Sequence, residues 1–437
     1  MPVYLDHAAT TPIAPAALEA MTRELARTGN PSSLHASGRR ARRAVEDARE
    51  TLAAAAGAHP SEVIFTSGGT EADNLAVKGL FWSRRDDDPR RTRILCSAVE
   101  HHAVQDTVEW LERHEGAEVV WLPVDSDGVV SLDAVKSELE RDPSSVALVT
   151  VMWANNEVGS IQPVRQIVEL AAAHGIPVHS DAVQAFGALP VNFRESGLAA
   201  MSVSGHKIGG PVGVGALFLG RSVKLTPVQH GGGQERDVRS GTLDTASIAA
   251  FAAAAESLAA GLPVESARIA ALRDKLIDGV RSAVPEAVLR GAPGDGRLPN
   301  NAHFTFPGCE GDSLLFLLDL AGVESSTGSA CTAGVPRPSH VLLAMGLDED
   351  TARGAQRFSL GHTSSEADVD ALLRALPDAY ARAKQAGMAG HESSIQTAAT
   401  VGRSSGQATA LFSFPEAGPP RGRPDRPAVR DPAVRDL

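Results

Sequence analysis

At 437 residues the chain is long enough for two domains, or for one large domain with a smaller companion. Hydrophobic residues make up 43% and can fill a sizeable core, while only 4% aromatics, with much alanine and glycine, favour close helix–sheet packing over an all-β sandwich. A formal net charge of −12 argues against a general nucleic-acid or membrane surface and leaves room only for a local basic patch. Three cysteines (Cys96, Cys309, Cys331) and an N-terminus without a signal-like basic and apolar region imply a reducing compartment, no disulfide framework and a cytoplasmic location. No apolar run reads as long enough to span a bilayer.

Glu62-Val63-Ile64-Phe65 reads as a strand, and Ser67-Gly68-Gly69-Thr70-Glu71 as the turn into a helix from Thr70. Glycines let the backbone approach a ligand and a helix N-terminus favours an anion, so this turn suits a phosphate as well as an ordinary N-cap. Arg93–Cys96 is the next strand, with Cys96 buried and inert, and a helical pattern follows over Ala103–His114. His101, between them, can stack on an aromatic ring or move protons, or is a polar loop histidine, whereas His102 points elsewhere. Glu118–Leu122, Val146–Trp153, Ile176–Ser180 and Gly215–Leu219 complete the strands. Asp125-Ser126-Asp127-Gly128 lacks the third ligand and terminal glutamate of a calcium loop and reads as a turn, and no His/Cys set has zinc-site spacing.

Strands alternating with helices imply a parallel or mostly parallel sheet covered on both faces, with ligands beyond the carboxyl ends of the strands. The polar clusters fall at those ends: Ser67–Thr70, Glu100-His101, Asn155–Glu157 and Asp181–Gln184. Two helical stretches near 243–260 and 264–283 lead into a smaller α+β region with a strand at Asn301–Phe306. Beyond residue 388 Gly, Ser, Thr, Pro and Arg dominate, a composition that cannot offset chain ordering, and the tail is expected to be disordered.

Two features set the chemistry. Ser204-Gly205-His206-Lys207 can present an amine to a carbonyl, or, taken alone, place a solvated surface lysine after a glycine turn, and Asp181, at the end of an apolar run, can meet a ring nitrogen. These are the Schiff-base lysine and the acidic partner that a pyridoxal phosphate (PLP) enzyme must supply. Glu324–Gly334, small residues around Cys331, has neither helical nor strand periodicity and reads as a mobile loop that can carry a thiol, or as a linker with a chance cysteine. Cys309, after Pro307-Gly308, reads as a loop thiol without a catalytic role. Arg357, before Phe358-Ser359-Leu360-Gly361, is an arginine fork suited to a carboxylate or a strand arginine in an ion pair.

Together these residues resemble the class V, fold-type I PLP enzymes, specifically cysteine desulfurases of the NifS/IscS type. The likeness covers roughly residues 3–385 and rests on Leu5–Thr11, Asn30–Ser33, Thr66–Asn74, Glu100-His101, Asn155–Gly159, Asp181–Gln184, Ser204–Lys207, Arg239–Thr242 and Ser329–Thr332. It implies an α/β fold whose large domain (14–260) has a mainly parallel seven-stranded sheet, with a small α+β domain (1–13 and 261–387) carrying the Cys331 loop before the tail at 388–437. By the same resemblance Lys207 holds PLP, Asp181 contacts the pyridinium nitrogen and Gln184 the ring hydroxyl. His101 stacks on the ring and relays protons. Asn156 lies near cofactor and substrate, and Gly69, Thr70, Ser204 and His206 cradle the phosphate. Thr242 reaches the phosphate bound by a partner subunit, which implies a homodimer, and Arg357 holds the carboxylate of L-cysteine.

The implied reaction forms a persulfide on Cys331, releases alanine and passes sulfur to an acceptor protein, an Fe–S scaffold or a tRNA-thiolation enzyme. No direct contact with nucleic acid or membrane is implied. Gln234 stands where some relatives have histidine, Asp237 where glycine is common, and His362 where many have arginine or lysine. Two other readings stay open at this point: an aminotransferase or lyase that uses Lys207 and Asp181 without Cys331, and a non-catalytic interaction platform.

Overall fold

The central sheet is built from seven short strands: β2 (Val63–Thr66), β3 (Arg93–Ser97), β4 (Glu118–Leu122), β5 (Val146–Thr150), β6 (Val178–Asp181), β7 (Ala200–Ser204) and β8 (Gly215–Leu219). The structure, a computed structural model, describes residues 2–328 and 338–401, with only the helical backbone described over 387–401. The strand order is β2-β8-β7-β6-β5-β3-β4. β8 runs antiparallel to both neighbours and all other pairs are parallel. Runs such as Val146-Ala147-Leu148-Val149 are buried throughout because helices cover both faces, which is why they show no period-2 alternation. β4 is the partly exposed edge strand. On one face Val149, Met201, Val203 and Phe218 pack with Phe251, and on the other Ile94, Leu148 and Leu217 pack with Leu75 and Leu80.

β7 escaped the element-by-element reading of the sequence. Ala200-Met201-Ser202-Val203-Ser204 alternates apolar residues with serine, yet all five are buried, since the serines face a buried polar layer instead of water. The helical stretches expected at 243–260 and 264–283 are one helix, Thr245–Ala283, with Pro263 inside it. Proline removes one hydrogen bond and usually ends a helix. Here packing against the helices Pro15–Leu25 and Ala36–Ala55 holds the earlier half, and Leu272 and Leu276 hold the later half in a second core. This helix also corrects the expectation that no apolar run is long enough to span a bilayer, because one of its windows reaches a mean hydropathy of 1.5. Its alanines produce that value, and Ile248, Ala250, Phe251 and Ala254 are buried in the protein core.

A second, antiparallel sheet has the order β12 (Ala355–Ser359), β10 (Asn301–Thr305), β9 (Val288–Arg290). β1 (Val3–Tyr4) pairs in parallel with β11 (Val323–Glu324), and Leu5 joins Phe304, Phe306 and Phe358 in one core. Up to Gly390 the described residues form one compact unit. The last helix spans Glu366–Val401 and so includes 388–401 of the expected tail, a stretch without proline. Residues 402–437 lie outside those described.

Candidate active site

β7 ends at Ser204 and a tight turn over Gly205–Lys207 follows at once, which places Lys207 at the edge of the sheet. Its Nζ donates to the Ala8 carbonyl at 2.6 Å and the Ala9 carbonyl at 2.8 Å. The N-terminal segment reaches this place because Asp6 bridges Ser359 of β12 and the Ala8 amide donates to Ser359 Oγ at 2.9 Å. Burial, then the charge of Arg357, brings the Lys207 ammonium down to about 8, against the opposing pull of Asp181 and Asp6.

Asp181 ends β6, where its Oδ1 accepts the Val183 amide at 2.8 Å. Burial raises its carboxyl to about 6, held there by the Val183 bond and by Lys207. Gln184 Nε2 donates to the same Ala8 carbonyl at 3.0 Å. His101 caps the helix His102–Glu115, and its Nδ1 accepts the Ala103 amide at 3.1 Å. Burial, then Lys207, takes His101 down to about 4, so the ring is neutral at pH 7 and carries its proton on Nε2.

The other end of the site is the N-terminus of the helix Gly69–Asp87. Its N-cap, Gly68, has φ 153°, a conformation other residues avoid, and offers no side-chain cap. The Gly69 and Thr70 amides have no acceptor among the described residues. Ser204 Oγ is likewise buried without a partner, and His206 Nδ1 lies 3.2 Å from Thr10 Oγ1. Gly69 is tightly placed, since a Cβ there would sit 2.8 Å from Val183 Cγ2. The helix start is tied to the 239–242 segment by Arg239 Nε, which donates to Glu71 Oε1 at 2.7 Å.

Nine of the sequence-derived residues line one cavity of about 240 Å³: Gly69, Thr70, His101, Asn156, Asp181, Gln184, Ser204, His206 and Lys207. Thr242 is exposed and does not border it. Arg357, 4% exposed on β12, donates to Asp6 Oδ1 at 2.8 Å and to the Asn156 carbonyl at 2.8 Å, while its Nε has no partner among the described residues. Cys331 lies outside the described residues, but the segments on either side of it are anchored at the site. Ser326 bridges Arg357, Ser339 Oγ donates to Glu157, and His340 Nε2 lies 2.9 Å from the Glu100 carbonyl.

Cys96 is fully buried in β3, and burial raises its thiol well above the usual range. Cys309 is also buried, packed in the core with Phe306, and is pushed up to about 11 by burial. Two residues were not singled out in the sequence: Asp73, which borders the cavity, and the fully buried His179, 3.6 Å from it. The available signals were an acid on the apolar face Ala72-Leu75-Ala76 of its helix and a histidine within the apolar strand β6.

A family model, Aminotransferase class-V, matches residues 3–372. The chain is 60% identical over 386 residues to an IscS-like cysteine desulfurase of Mycobacterium tuberculosis, covering 88% of this chain and 98% of that protein. Among solved structures it resembles a NifS-like protein, with a TM-score of 0.79, 36% identity and coverage of 86% of this chain and 99% of the other. It also resembles SspA in complex with cysteine, with a TM-score of 0.70, 34% identity and coverage of 82% and 98%.

Proposed function

The chain belongs to the class-V aminotransferase family, and we propose that it is a cysteine desulfurase that takes sulfur from L-cysteine onto Cys331 and leaves alanine. One observation carries the reading: a half-buried lysine, a buried acid and a neutral imidazole converge on a single cavity whose far end is an uncapped helix N-terminus.

PLP fits these residues. The unsatisfied Gly69 and Thr70 amides and the orphaned Ser204 hydroxyl suit a phosphate, the free side of Asp181 suits a pyridine nitrogen, and Lys207 is a half-buried amine with lowered proton affinity. When bound, PLP stores the electron pair released at the substrate α-carbon. Arg357 binds the substrate carboxylate, with its guanidinium braced by Asp6 and the Asn156 carbonyl. Lys207 takes the α-proton onto Nζ, which burial and Arg357 keep close to neutral pH in proton affinity. His101, with Nδ1 committed to the Ala103 amide, offers Nε2–H as a donor. Cys331 attacks the substrate sulfur as a thiolate: an Sγ–S bond forms, the Cβ–S bond breaks and leaves its electron pair on Cβ, and one proton at Cβ and return of the α-proton from Lys207 complete alanine.

The test is sulfide release from L-cysteine in the presence of a reductant. Release by wild type and near-zero release by Cys331→Ala supports the reading. Equal release by both assigns the chain to a lyase that does not use this thiol.

The reading extends to the division into domains at 14–260 and at 1–13 with 261–387, to a cytoplasmic homodimer in which Thr242 serves the partner's phosphate, and to delivery of sulfur to Fe–S assembly or tRNA thiolation through an acceptor protein. A mass in solution of one chain overturns the dimer. Restored turnover on mixing Thr242→Ala with Lys207→Ala subunits supports the shared site.

A further inference from the structure

A second acid lies beside Asp181. Asp73, in the helix Gly69–Asp87, is 1% exposed, borders the same cavity, and has no hydrogen-bond partner for Oδ1 among the described residues. His179 Nε2 stands 3.6 Å from that oxygen. The His179 ring is fully buried between two hydroxyls, with Nδ1 2.9 Å from Thr150 Oγ1 and Nε2 3.0 Å from Ser202 Oγ. His179 and Asp181 are two apart on β6, so they face the same side, and Ser202 is the cross-strand neighbour of Asp181. Among the described residues the other ionisable groups around the pair are Glu100, whose Oε1 accepts the Met152 amide at 2.6 Å, together with Lys207, His101 and His206.

Two buried carboxyls that line one cavity and repel each other resist ionising together, and their surroundings decide which keeps the proton. Asp181 accepts an amide and faces the Lys207 ammonium. Asp73 faces a hydroxyl, an imidazole and the carboxyls of Asp181 and Glu100, with no cation among the described residues acting on it. We propose that Asp73 is a positioning residue, an acid that keeps its proton while seated against Ser202 and His179, so that Asp181 is the single anion aimed at the cofactor's ring nitrogen. Burial, then Asp181, raises Asp73 well above the carboxylate range despite the Ser202 bond, and burial holds His179 at about 3, hence neutral. The last clause of the proposal rests on the PLP reading; the protonation of Asp73 does not.

The test is an infrared difference spectrum, holoenzyme minus Asp73→Asn, near pH 7. The expected result is loss of the C=O stretch of a protonated carboxylic acid, and loss of carboxylate bands instead overturns the proposal. The absorbance titration of bound cofactor in Asp73→Asn should stay within about 0.3 pH units of wild type, and a shift of about one unit or more means that Asp73 carries charge. Asp73→Ala should move that titration and lower kcat about tenfold with KM unchanged, by loosening His179 and Asp181. Asp73→Ser replaces it if the alanine variant does not fold. An unaltered titration and kcat in the truncated variant overturns positioning. A wild-type preparation with no cofactor absorbance would fault the PLP reading while leaving the infrared result to judge Asp73.

Discussion

Lys207 and Asp181 set the pH behaviour of the cofactor-free protein. Asp181 is raised to about 6, so it gains a proton as the pH falls through that value and loses the negative charge a pyridinium needs. PLP affinity should therefore fall below about pH 6. Lys207 is lowered to about 8, so the rate of covalent attachment to PLP should climb with pH and level off near 8. A rate that keeps climbing toward the usual lysine range near 10.4 would show an unperturbed amine. Both follow from stopped-flow absorbance against pH. Lys207→Ala should abolish the absorbance band of attached cofactor together with turnover. Asp181→Ala should retain some PLP but lose turnover by about 10²–10⁴-fold, and near-normal turnover would refute its role.

At the level of elements, the turn Glu235–Asp237 is the most constrained in the described chain. Glu235, Arg236 and Asp237 all have positive φ, at 45°, 59° and 60°, which costs energy for residues with side chains. The buried Glu235 carboxylate holds the turn in place, accepting Arg49 Nη2 at 2.6 Å, Arg49 Nη1 at 2.8 Å and the Phe65 amide of β2 at 2.7 Å. Removing one partner leaves the other charge buried, so Glu235→Ala should destabilise the fold by about 3–5 kcal/mol in urea unfolding. A loss under about 1 kcal/mol would mean that water replaces the carboxylate freely. The start of the helix Gly69–Asp87 is equally exacting. Gly69→Ala drives a methyl against Val183 and should weaken PLP binding by about 1–3 kcal/mol, measured as a dissociation constant.

For the whole molecule, the compact unit ends at Gly390 and carries every residue placed in the site. Deleting 391–437 should leave kcat/KM for L-cysteine and the thermal midpoint unchanged. A large loss in either would give the Pro/Arg-rich end a structural part that its composition does not suggest. The cavity itself is assembled over long sequence distances: Arg357 meets Asp6 across 351 positions, and Gln184 meets Ala8 across 176. Its integrity therefore depends on the small antiparallel sheet and the N-terminal segment staying docked.

How much of this was legible in the sequence differs from residue to residue. Gly69, His101 and Asp181 stand at strand ends marked by an apolar run and then a polar turn, Lys207 stood out through the Ser204-Gly205-His206 string before it, and the resemblance of the motifs taken together gave all four their roles. β7 did not, because buried serines look like surface serines until their partners are known. The continuous helix through Pro263 was hidden as well, since the contacts that outweigh a proline come from helices far away in the chain. Asp73 and His179 have no local signature: they matter because the helix after β2 crosses over β6 and β7 and brings an acid to an imidazole in a dry layer. Local patterning by itself determined the ends of the strands other than β7 and the residue types available there. Only the tertiary structure decided which buried groups share a cavity and which protons they hold, because burial and mutual distance, unlike residue type, are properties of the folded chain.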